Sequence, residues 1–140
     1  MLIHATAVDV SGAGVLLLGA SGAGKSDLAL RLIQDGGLLV SDDQVEVAAF
    51  DGRLMASAAP NISGLVEARS WGILKAPTKA STWLRLAVEL GPDKALRMPE
   101  PATWRLPQGG GPGIPLVRIP PFEASSTVKL RLMLHSGANP

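Results

Sequence analysis

The chain has 140 residues, 46% of them hydrophobic, and a formal net charge of +1. This length and apolar content are typical of one domain with a hydrophobic core, and they argue against disorder. The sequence has no cysteine and two histidines, which excludes disulfides, a thiol nucleophile, cysteine-ligated zinc and a histidine-rich metal centre. It contains no apolar run of membrane-spanning length and no signal-peptide pattern, so we expect a soluble, cytoplasmic protein.

Hydrophobic patterning predicts short strands around one early helix. Loose alternation over Met1–Val10 and the apolar run Val15–Leu18 predict two strands joined by a tight turn. A helix is predicted over Lys25–Asp35, ended by Gly36 and Gly37. Further strands are predicted at Leu38–Val40, Gln44–Phe50, Arg53–Ser57, Trp83–Leu90 and Leu116–Ile119.

The remaining stretches are predicted mainly as loops. Asn61–Thr82 has no clean period, and Gly91–Pro115 is rich in glycine and proline, which is typical of a mobile connection. A last helix is predicted over Thr127–His135, with Ser125 or Ser126 as its N-cap. No internal repeat or second foldable unit is visible, so residues 1–140 are expected to form one domain.

The segment after Val15–Leu18 reads G-A-S-G-A-G-K-S, which matches the phosphate-loop pattern G-x-x-x-x-G-K-[S/T] between a strand and a helix. Glycines allow backbone N–H groups to surround an anion, and the helix that follows directs its positive end at the phosphates. The lysine can reach the terminal phosphates, and the serine hydroxyl can ligate Mg²⁺. A nucleoside phosphate is therefore predicted to bind to Gly19, Ala20, Ser21, Gly22, Ala23, Gly24, Lys25 and Ser26.

Two adjacent carboxylates, Asp42 and Asp43, follow the predicted strand Leu38–Val40. Neighbouring side chains of a strand point to opposite sides, so one carboxylate can face a metal ion while the other faces a substrate hydroxyl. An aspartate near a γ-phosphate can act as a general base towards that hydroxyl. A plain Asp-Asp turn between two strands is the simpler alternative.

Other polar residues carry less information on local grounds. His4 in an apolar strand is more simply a hydrogen-bonded core residue, and Glu67 is more simply a surface charge. Three arginines in the second half of the chain are equivalent candidates for holding a phosphate: Arg97, Arg105 and Arg118.

From about Ile3 to Ile73 the chain resembles the catalytic domain of HPr kinase/phosphorylase, the bifunctional bacterial enzyme that acts on the phosphocarrier protein HPr. The resemblance is carried by four motifs in matching order. The first is Ile3-His4 followed by Val8-Asp9-Val10 and Gly14-Val15-Leu16, and the second is the phosphate loop followed by Ser26-Asp27-Leu28-Ala29-Leu30. The third is Leu39-Val40-Ser41-Asp42-Asp43-Gln44-Val45-Glu46, and the fourth is Leu65-Val66-Glu67-Ala68-Arg69-Ser70-Trp71-Gly72-Ile73.

This resemblance implies an α/β fold of the HPr kinase and phosphoenolpyruvate carboxykinase type, with a mixed sheet, a phosphate-loop helix and a small C-terminal helix. It implies an ATP- and Mg²⁺-dependent serine protein kinase that phosphorylates HPr, together with phosphate-dependent dephosphorylation. The implied assembly is a homohexamer, and neither a membrane nor a nucleic acid is an expected partner. Residues 1–140 would form the catalytic domain, without an N-terminal regulatory domain.

The resemblance also implies roles for single residues. Asp43 would be the general base towards the seryl hydroxyl and the acid in the reverse direction. The other implied catalytic residues are His4, Lys25 and Arg97. Ser26 and Glu67 would correspond to Mg²⁺ ligands, and the position of Asp42 after the strand makes it a further predicted metal ligand.

Two departures from the family pattern leave alternatives open. Ser70-Trp71 stands where the family has glycine and leucine, and Pro120–Ala124 lacks the basic residues of a loop that the family uses in phosphate chemistry. The missing basic residues favour a nucleotide-binding regulator without efficient transfer as one alternative. A small-molecule kinase on a conventional phosphate-loop fold is the other, with Gly91–Pro115 as its lid.

Overall fold

The fold consists of short strands arranged around one long central strand, with two short helices. The computed structural model describes residues 1–20, 22–60, 64–68, 72–91, 102–119 and 126–135, without the side chains of residues 67, 68 and 135. The elements are, in chain order, β1 (Leu2–Ile3), β2 (Thr6–Val10), β3 (Ala13–Leu18), α1 (Lys25–Gln34), β4 (Leu38–Ser41), β5 (Val45–Phe50), β6 (Arg53–Ala58), β7 (Leu65–Ala68), β8 (Gly72–Lys75), β9 (Ser81–Leu90), β10 (Ala102–Trp104), β11 (Ile114–Ile119) and α2 (Ser126–His135).

Strand β9 organises a mixed sheet of nine strands, whose main order is β1-β5-β6-β9-β3-β2-β4. One side of β9 pairs in parallel with β3. The other side is shared, because β6 pairs antiparallel with the start of β9 and β11 pairs in parallel with its end. Strand β10 continues antiparallel to β11. The sheet therefore divides along β9 and curls, and both of its faces are covered.

Two hydrophobic clusters lie on these two faces. The alternation of side chains along a strand separates them, since Ala7 of β2 belongs to one cluster while Val8 and Val10 belong to the other. The cluster beneath α1 and α2 is formed by Val8, Val10, Val15, Leu17, Leu28, Ala29, Leu32, Leu39, Val66, Leu86, Val88, Leu90, Ile119 and Leu130. The cluster inside the curl is formed by Ala5, Ala7, Leu16, Val40, Val45, Val47, Leu54, Ala56, Leu84, Ala87, Leu106 and Ile114.

The predicted helices and most strands of the first sixty residues are confirmed to within a few residues. The single strand predicted over Met1–Val10 was wrong, because it is divided into β1, which pairs with β5, and β2, which pairs with β3. Helix α1 ends one residue before the predicted Asp35, and the left-handed Gly36 (φ 102°) follows. Gly37 packs against the end of α1, where an added Cβ would lie 2.9 Å from the Leu32 carbonyl oxygen. Helices α1 and α2 each contain ten residues. Over the described ranges, the structure contains no helix of sufficient length and apolarity to span a bilayer.

The prediction of loops was wrong in two places. Asn61–Thr82 contains the antiparallel hairpin of β7 and β8, in which Leu65 pairs with Lys75 and Ala68 with Gly72. Gly91–Pro115 contains β10 and the first residues of β11. Strands β8 and β10 contain no buried residue, so they lack an alternating hydrophobic pattern and are defined by their pairing.

A buried carboxylate ties β2 to β9. Asp9 is 3% exposed, and its carboxylate accepts hydrogen bonds from Thr82 Oγ1 (2.6 Å), Lys79 Nζ (3.0 Å) and the Gly12 amide (2.9 Å). These three donors come from the turn after β2, from β9 and from the segment before β9. Asp9 therefore holds the β2–β3 turn against the start of the central strand. This contact lies at the opposite end of β3 from the phosphate loop.

Candidate active site

The phosphate loop leaves the end of β3 and enters α1, as the motif predicts. Gly19 has φ 146°, and a Cβ there would approach both the Ala23 Cβ and the Leu90 carbonyl oxygen to 3.0 Å. Gly24 is the left-handed N-cap of α1, with φ 105°. Larger residues would be strained at both positions. The loop therefore lies between the end of the central strand and the positive end of a helix, which is where an anion is stabilised.

Lys25 is the first residue of α1 and is 5% exposed. Its Nζ donates to the carbonyl oxygens of Gly19 (2.6 Å) and Ala20 (3.1 Å). An ammonium group has three N–H donors and carries a full positive charge. The side chain thus folds back over its own loop, and its charge lies beside the backbone that would surround a phosphate.

Asp42 and Asp43 diverge because of a turn, and the prediction that they alternate along a strand was wrong. Strand β4 ends at Ser41. Asp43 has φ 68°, and the Gln44 amide donates to the Asp42 carbonyl oxygen (2.8 Å), which is the bond pattern of a γ-turn. A non-glycine residue in this conformation costs about 1–3 kcal/mol, and such strain is concentrated at functional sites.

The carboxylate of Asp42 faces the phosphate-loop helix. The residue is 6% exposed, and its Oδ1 accepts hydrogen bonds from Ser26 Oγ and Thr6 Oγ1, each at 2.8 Å. The serine that ends the phosphate-loop motif is therefore joined directly to the first aspartate of the pair. This contact brings two residues that are sixteen positions apart in sequence into one polar cluster.

Thr6 is a site residue that the sequence interpretation missed. Its Oγ1 donates to Asp42 and also accepts the Asp43 amide (3.0 Å), so one hydroxyl contacts both aspartates. A signal was present in the sequence, since Thr6 is a polar residue between two alanines at the start of a buried strand. A single threonine in a strand is nevertheless common, and spacing alone does not mark it.

The side chain of Asp43 points to His4 rather than to the loop. His4 Nε2 lies 3.0 Å from Asp43 Oδ1, and the two side chains are 50% and 67% exposed, respectively. His4 lies between β1 and β2, outside both hydrophobic clusters. The interpretation of His4 as a core residue was therefore wrong, and the solvent-facing carboxylate of Asp43 is accessible to an incoming group.

Residues 1–80, which contain the phosphate loop and the paired carboxylates, match the family model of the HPr serine kinase C-terminal domain. The chain belongs to this family. The match confirms the resemblance inferred from the motifs, and it covers every site residue described above.

Relatives within the HPr kinase family agree with this assignment. The HPr kinase/phosphorylase of Clostridium tetani is 43% identical over 76 residues, and that of Limosilactobacillus reuteri is 44% identical over 81 residues. These segments cover 54% and 57% of this chain, and 25% of each relative. The chain thus spans about a quarter of the length of the curated relatives that it matches.

The fold is also similar to a solved structure, the Hpr(Ser) kinase/phosphatase from Coxiella burnetii. The TM-score is 0.83 at 21% sequence identity, and the similarity covers 99% of this chain and 90% of that chain. The architecture is therefore shared well beyond residues 1–80. It confirms a mixed α/β fold with a curled sheet.

Several residues with implied roles in the HPr kinase family fall wholly or partly outside the described structure. Ser21 and Arg97 lie outside the described residues, as do Arg69 and Pro120–Ala124. Glu67 lies in β7 opposite Ile73, whereas its position was predicted to be a loop, and its side chain is not among those described. Arg118 donates to Glu89 (2.9 Å) on neighbouring strands at the exposed surface.

Mg²⁺, which the HPr kinase family pattern implies, fits the donors that the site contains. Ser26 and Asp42 present a hydroxyl and a carboxylate, and hard oxygen ligands of this kind are those that Mg²⁺ prefers. Over the described residues no group of three or more His, Cys, Asp or Glu side chains is assembled. Mg²⁺ keeps several waters and binds substrate phosphates, so it is commonly held by only one or two protein carboxylates.

Proposed function

We propose that this chain is the catalytic part of an ATP- and Mg²⁺-dependent kinase that phosphorylates a serine of HPr, and that it also catalyses phosphate-dependent dephosphorylation. The proposal is carried by one observation: the Ser26 hydroxyl at the end of the phosphate loop donates to Asp42, and the accessible Asp43 is the next residue. Family membership supports it, because the curated relatives are named HPr kinase/phosphorylase.

In this proposal the phosphate loop binds the triphosphate of ATP. Backbone N–H groups between Gly19 and Lys25 and the positive end of α1 neutralise part of the phosphate charge. The ammonium of Lys25 already lies against this backbone and supplies a full positive charge there. We also infer that the fold is the HPr kinase and phosphoenolpyruvate carboxykinase type of phosphate-loop fold.

Ser26 and Asp42 are the residues that would hold Mg²⁺, and Glu67 remains a proposed third ligand. When bound, the ion would neutralise charge on the phosphates during transfer. Ser26 would offer an oxygen lone pair to the ion, while its O–H continues to donate to Asp42 Oδ1, the acceptor it already has. Asp42, buried and held by two hydroxyl donors, keeps its position without rearrangement.

Asp43 is the proposed general base. Its carboxylate takes the proton of the seryl hydroxyl as the serine oxygen forms a bond to the γ-phosphorus and the bond between that phosphorus and ADP breaks. His4 holds the carboxylate through the contact at 3.0 Å, and the γ-turn points it away from Asp42. Arg97 is proposed to contact the transferred phosphate. In the reverse direction an oxygen of inorganic phosphate forms the bond to the phosphorus of phosphoserine, the bond to the serine oxygen breaks, and protonated Asp43 gives its proton to that oxygen, which leaves pyrophosphate and serine.

HPr is the proposed protein partner, with a homohexamer as the proposed assembly and residues 1–140 as one catalytic domain. The test is incubation of the protein with ATP, Mg²⁺ and HPr from the same organism, with phosphoserine followed by mass spectrometry and nucleotide binding measured by calorimetry. Lys25→Met is the matched control, since it keeps the length of the side chain and removes its charge. We expect phosphoserine on HPr with the wild type and none with Lys25→Met. Added inorganic phosphate is expected to remove it.

Other outcomes would favour the other functions. Tight ATP binding with no phosphoserine on HPr would contradict the proposal and favour a nucleotide-binding regulator. Consumption of ATP with transfer to metabolites but not to HPr would contradict it in favour of a small-molecule kinase. If the protein does not bind ATP, the prediction that residues 19–26 bind a nucleoside phosphate is wrong.

A further inference from the structure

Thr6 occupies a position where an apolar residue would be expected. It is fully buried at the start of β2, and side-chain alternation places it on the same face as Val8 and Val10, beneath α1. A hydroxyl on this face loses its contact with water, and it is tolerated only where it has hydrogen-bond partners. Its two partners are the residues on which the proposed chemistry depends.

The chemistry of the groups fixes the direction of each hydrogen bond around Thr6. The Asp43 amide can only donate, so the Thr6 oxygen is its acceptor (3.0 Å). The one proton of the Thr6 hydroxyl is then directed to Asp42 Oδ1 (2.8 Å), since an ionised carboxylate only accepts. Ser26 donates to the same oxygen (2.8 Å). The hydroxyl of Thr6 therefore orders a continuous chain from the Asp43 backbone to the phosphate-loop serine.

Thr6 acts at both ends of this chain. At one end it is the acceptor of the backbone N–H of Asp43, whose φ of 68° is unfavourable for an aspartate and needs support from its surroundings. At the other end it shares Asp42 Oδ1 with Ser26 and so fixes the carboxylate at the start of α1. One side chain on a neighbouring strand thus holds the carboxylate of Asp42, which contacts Ser26, and the backbone of Asp43, whose carboxylate contacts His4.

We propose that Thr6 is a positioning residue for phosphotransfer: its hydroxyl sets Asp42 against the Ser26 metal ligand and holds Asp43 in the conformation that presents its carboxylate to the acceptor serine. This inference rests on the proposed function. It assigns the start of β2 to the reaction machinery rather than to the hydrophobic core alone, and it predicts that a hydroxyl, not merely a side chain of this size, is required at residue 6.

The test compares Thr6→Val, which keeps the shape and removes the hydroxyl, with Thr6→Ser, which keeps the hydroxyl. Thr82→Val is the matched control, because Thr82 is another buried threonine that donates to a buried carboxylate, Asp9, away from the site. Three quantities are measured: the Mg²⁺ dependence of ATP binding by calorimetry, kcat and KM for transfer to HPr, and the thermal unfolding midpoint.

For Thr6→Val we expect the Mg²⁺ concentration that gives half-maximal enhancement of ATP binding to rise, and kcat to fall, by about 10–100-fold. The KM for HPr is expected to stay near the wild-type value, and Thr6→Ser is expected to restore both affected quantities. Thr82→Val is expected to lower the unfolding midpoint without either change. If Thr6→Val does not fold, Thr6→Cys replaces it with a weak donor of similar size, and the same direction of change is expected.

Two results would overturn the inference. If Thr6→Val has the same Mg²⁺ dependence of ATP binding and the same kcat as Thr82→Val, Thr6 has a structural role only. If Thr6→Ser does not restore the Mg²⁺ dependence and kcat, the shape of the side chain and not its hydroxyl is required. The wild type separately tests the function: if it binds Mg²⁺ and ATP but does not transfer phosphate to HPr, the proposed function fails and the Mg²⁺ readout alone decides the role of Thr6. A wild type whose ATP binding is independent of Mg²⁺ contradicts both.

Discussion

Asp9 lies in β2, Asp42 and Asp43 contact its first residue, Thr6, and the surroundings of each aspartate give it a different task. Asp9 is buried among donors that tie strands together, Asp42 is buried against the phosphate loop, and Asp43 is accessible beside His4. The motifs identified Asp42 and Asp43 because adjacent carboxylates after a buried strand are a strong pattern. Their divergence and the part played by Thr6 could not be predicted, since a left-handed aspartate and a single hydroxyl leave no periodic trace.

The titration of Asp9 predicts a pH dependence of stability. Burial raises the pKa of Asp9, but hydrogen bonds from Thr82, Gly12 and Lys79 and the charge of Lys79 outweigh it and hold the pKa below the ordinary value of 3.8. Because the unfolded chain then binds the proton more tightly, the contribution of Asp9 is complete above the unfolded pKa of about 3.9 and is lost as the pH falls through the folded pKa.

Asp9→Asn is therefore expected to lower the free energy of unfolding by about 1–3 kcal/mol at pH 7, since it turns an amide N–H towards groups that donate. Urea unfolding between pH 7 and pH 3 should show the difference from the wild type shrinking below about pH 4. Asp51→Asn is the control, because Asp51 is exposed in the β5–β6 turn at φ 56°, which asparagine adopts well. A difference that stays constant or grows in acid would contradict this account of Asp9.

At the scale of the elements, what could be predicted depended on local pattern. Helix α1 and strands β3 to β6 follow from periodicity and turn residues, and their predicted bounds lie within two residues of the observed ones. Strands β7, β8 and β10 were missed because they are short and because β8 and β10 bury no residue, so that only pairing with the neighbouring strand defines them. The same limit applies to the parallel pairing of β3 with β9, which joins residues about seventy positions apart.

That parallel pairing depends on a glycine. Gly14 lies where the register of β3 against β9 shifts, and an added Cβ would lie 2.6 Å from the Trp83 carbonyl oxygen and 2.7 Å from Thr82 Cγ2. Gly14→Ala must separate the two strands, so we expect it to lower the free energy of unfolding by about 1–3 kcal/mol. Chemical denaturation measures this change.

Gly91→Ala provides the comparison for that measurement. Gly91 follows β9, its φ lies outside the left-handed region, and no atom that the described part of the chain places nearby lies within 4 Å of an added Cβ. Alanine there is expected to change the stability by less than about 1 kcal/mol. Equal effects of the two substitutions would mean that the close approach of β3 to β9 at Gly14 does not constrain the fold.

At the scale of the whole molecule, the family is readable from the first eighty residues, whereas the fold extends over nearly the entire chain. Residues beyond 80 supply the central strand, the branch of β10 and β11, and helix α2, which packs Leu130 into the cluster beneath α1. In this half the patterns of Trp83–Leu90, Leu116–Ile119 and Thr127–His135 predicted two strands and a helix, whereas β10 was not predicted. The phosphate loop, the carboxylate pair and Thr6 all come from the first half, so the proposed chemistry is concentrated where the motifs are.

The central claim is that Asp43 is the base for transfer from ATP bound at the phosphate loop to a serine of HPr. The direct test is the initial rate of phosphoserine formation on HPr by the wild type and by Asp43→Asn, with ATP and Mg²⁺ saturating in both. Asparagine has the shape of aspartate, adopts a positive φ at least as readily and can still contact His4, so the variant should fold and bind nucleotide normally. We predict a rate about 10²–10⁴-fold lower for Asp43→Asn; an unchanged rate would contradict the account.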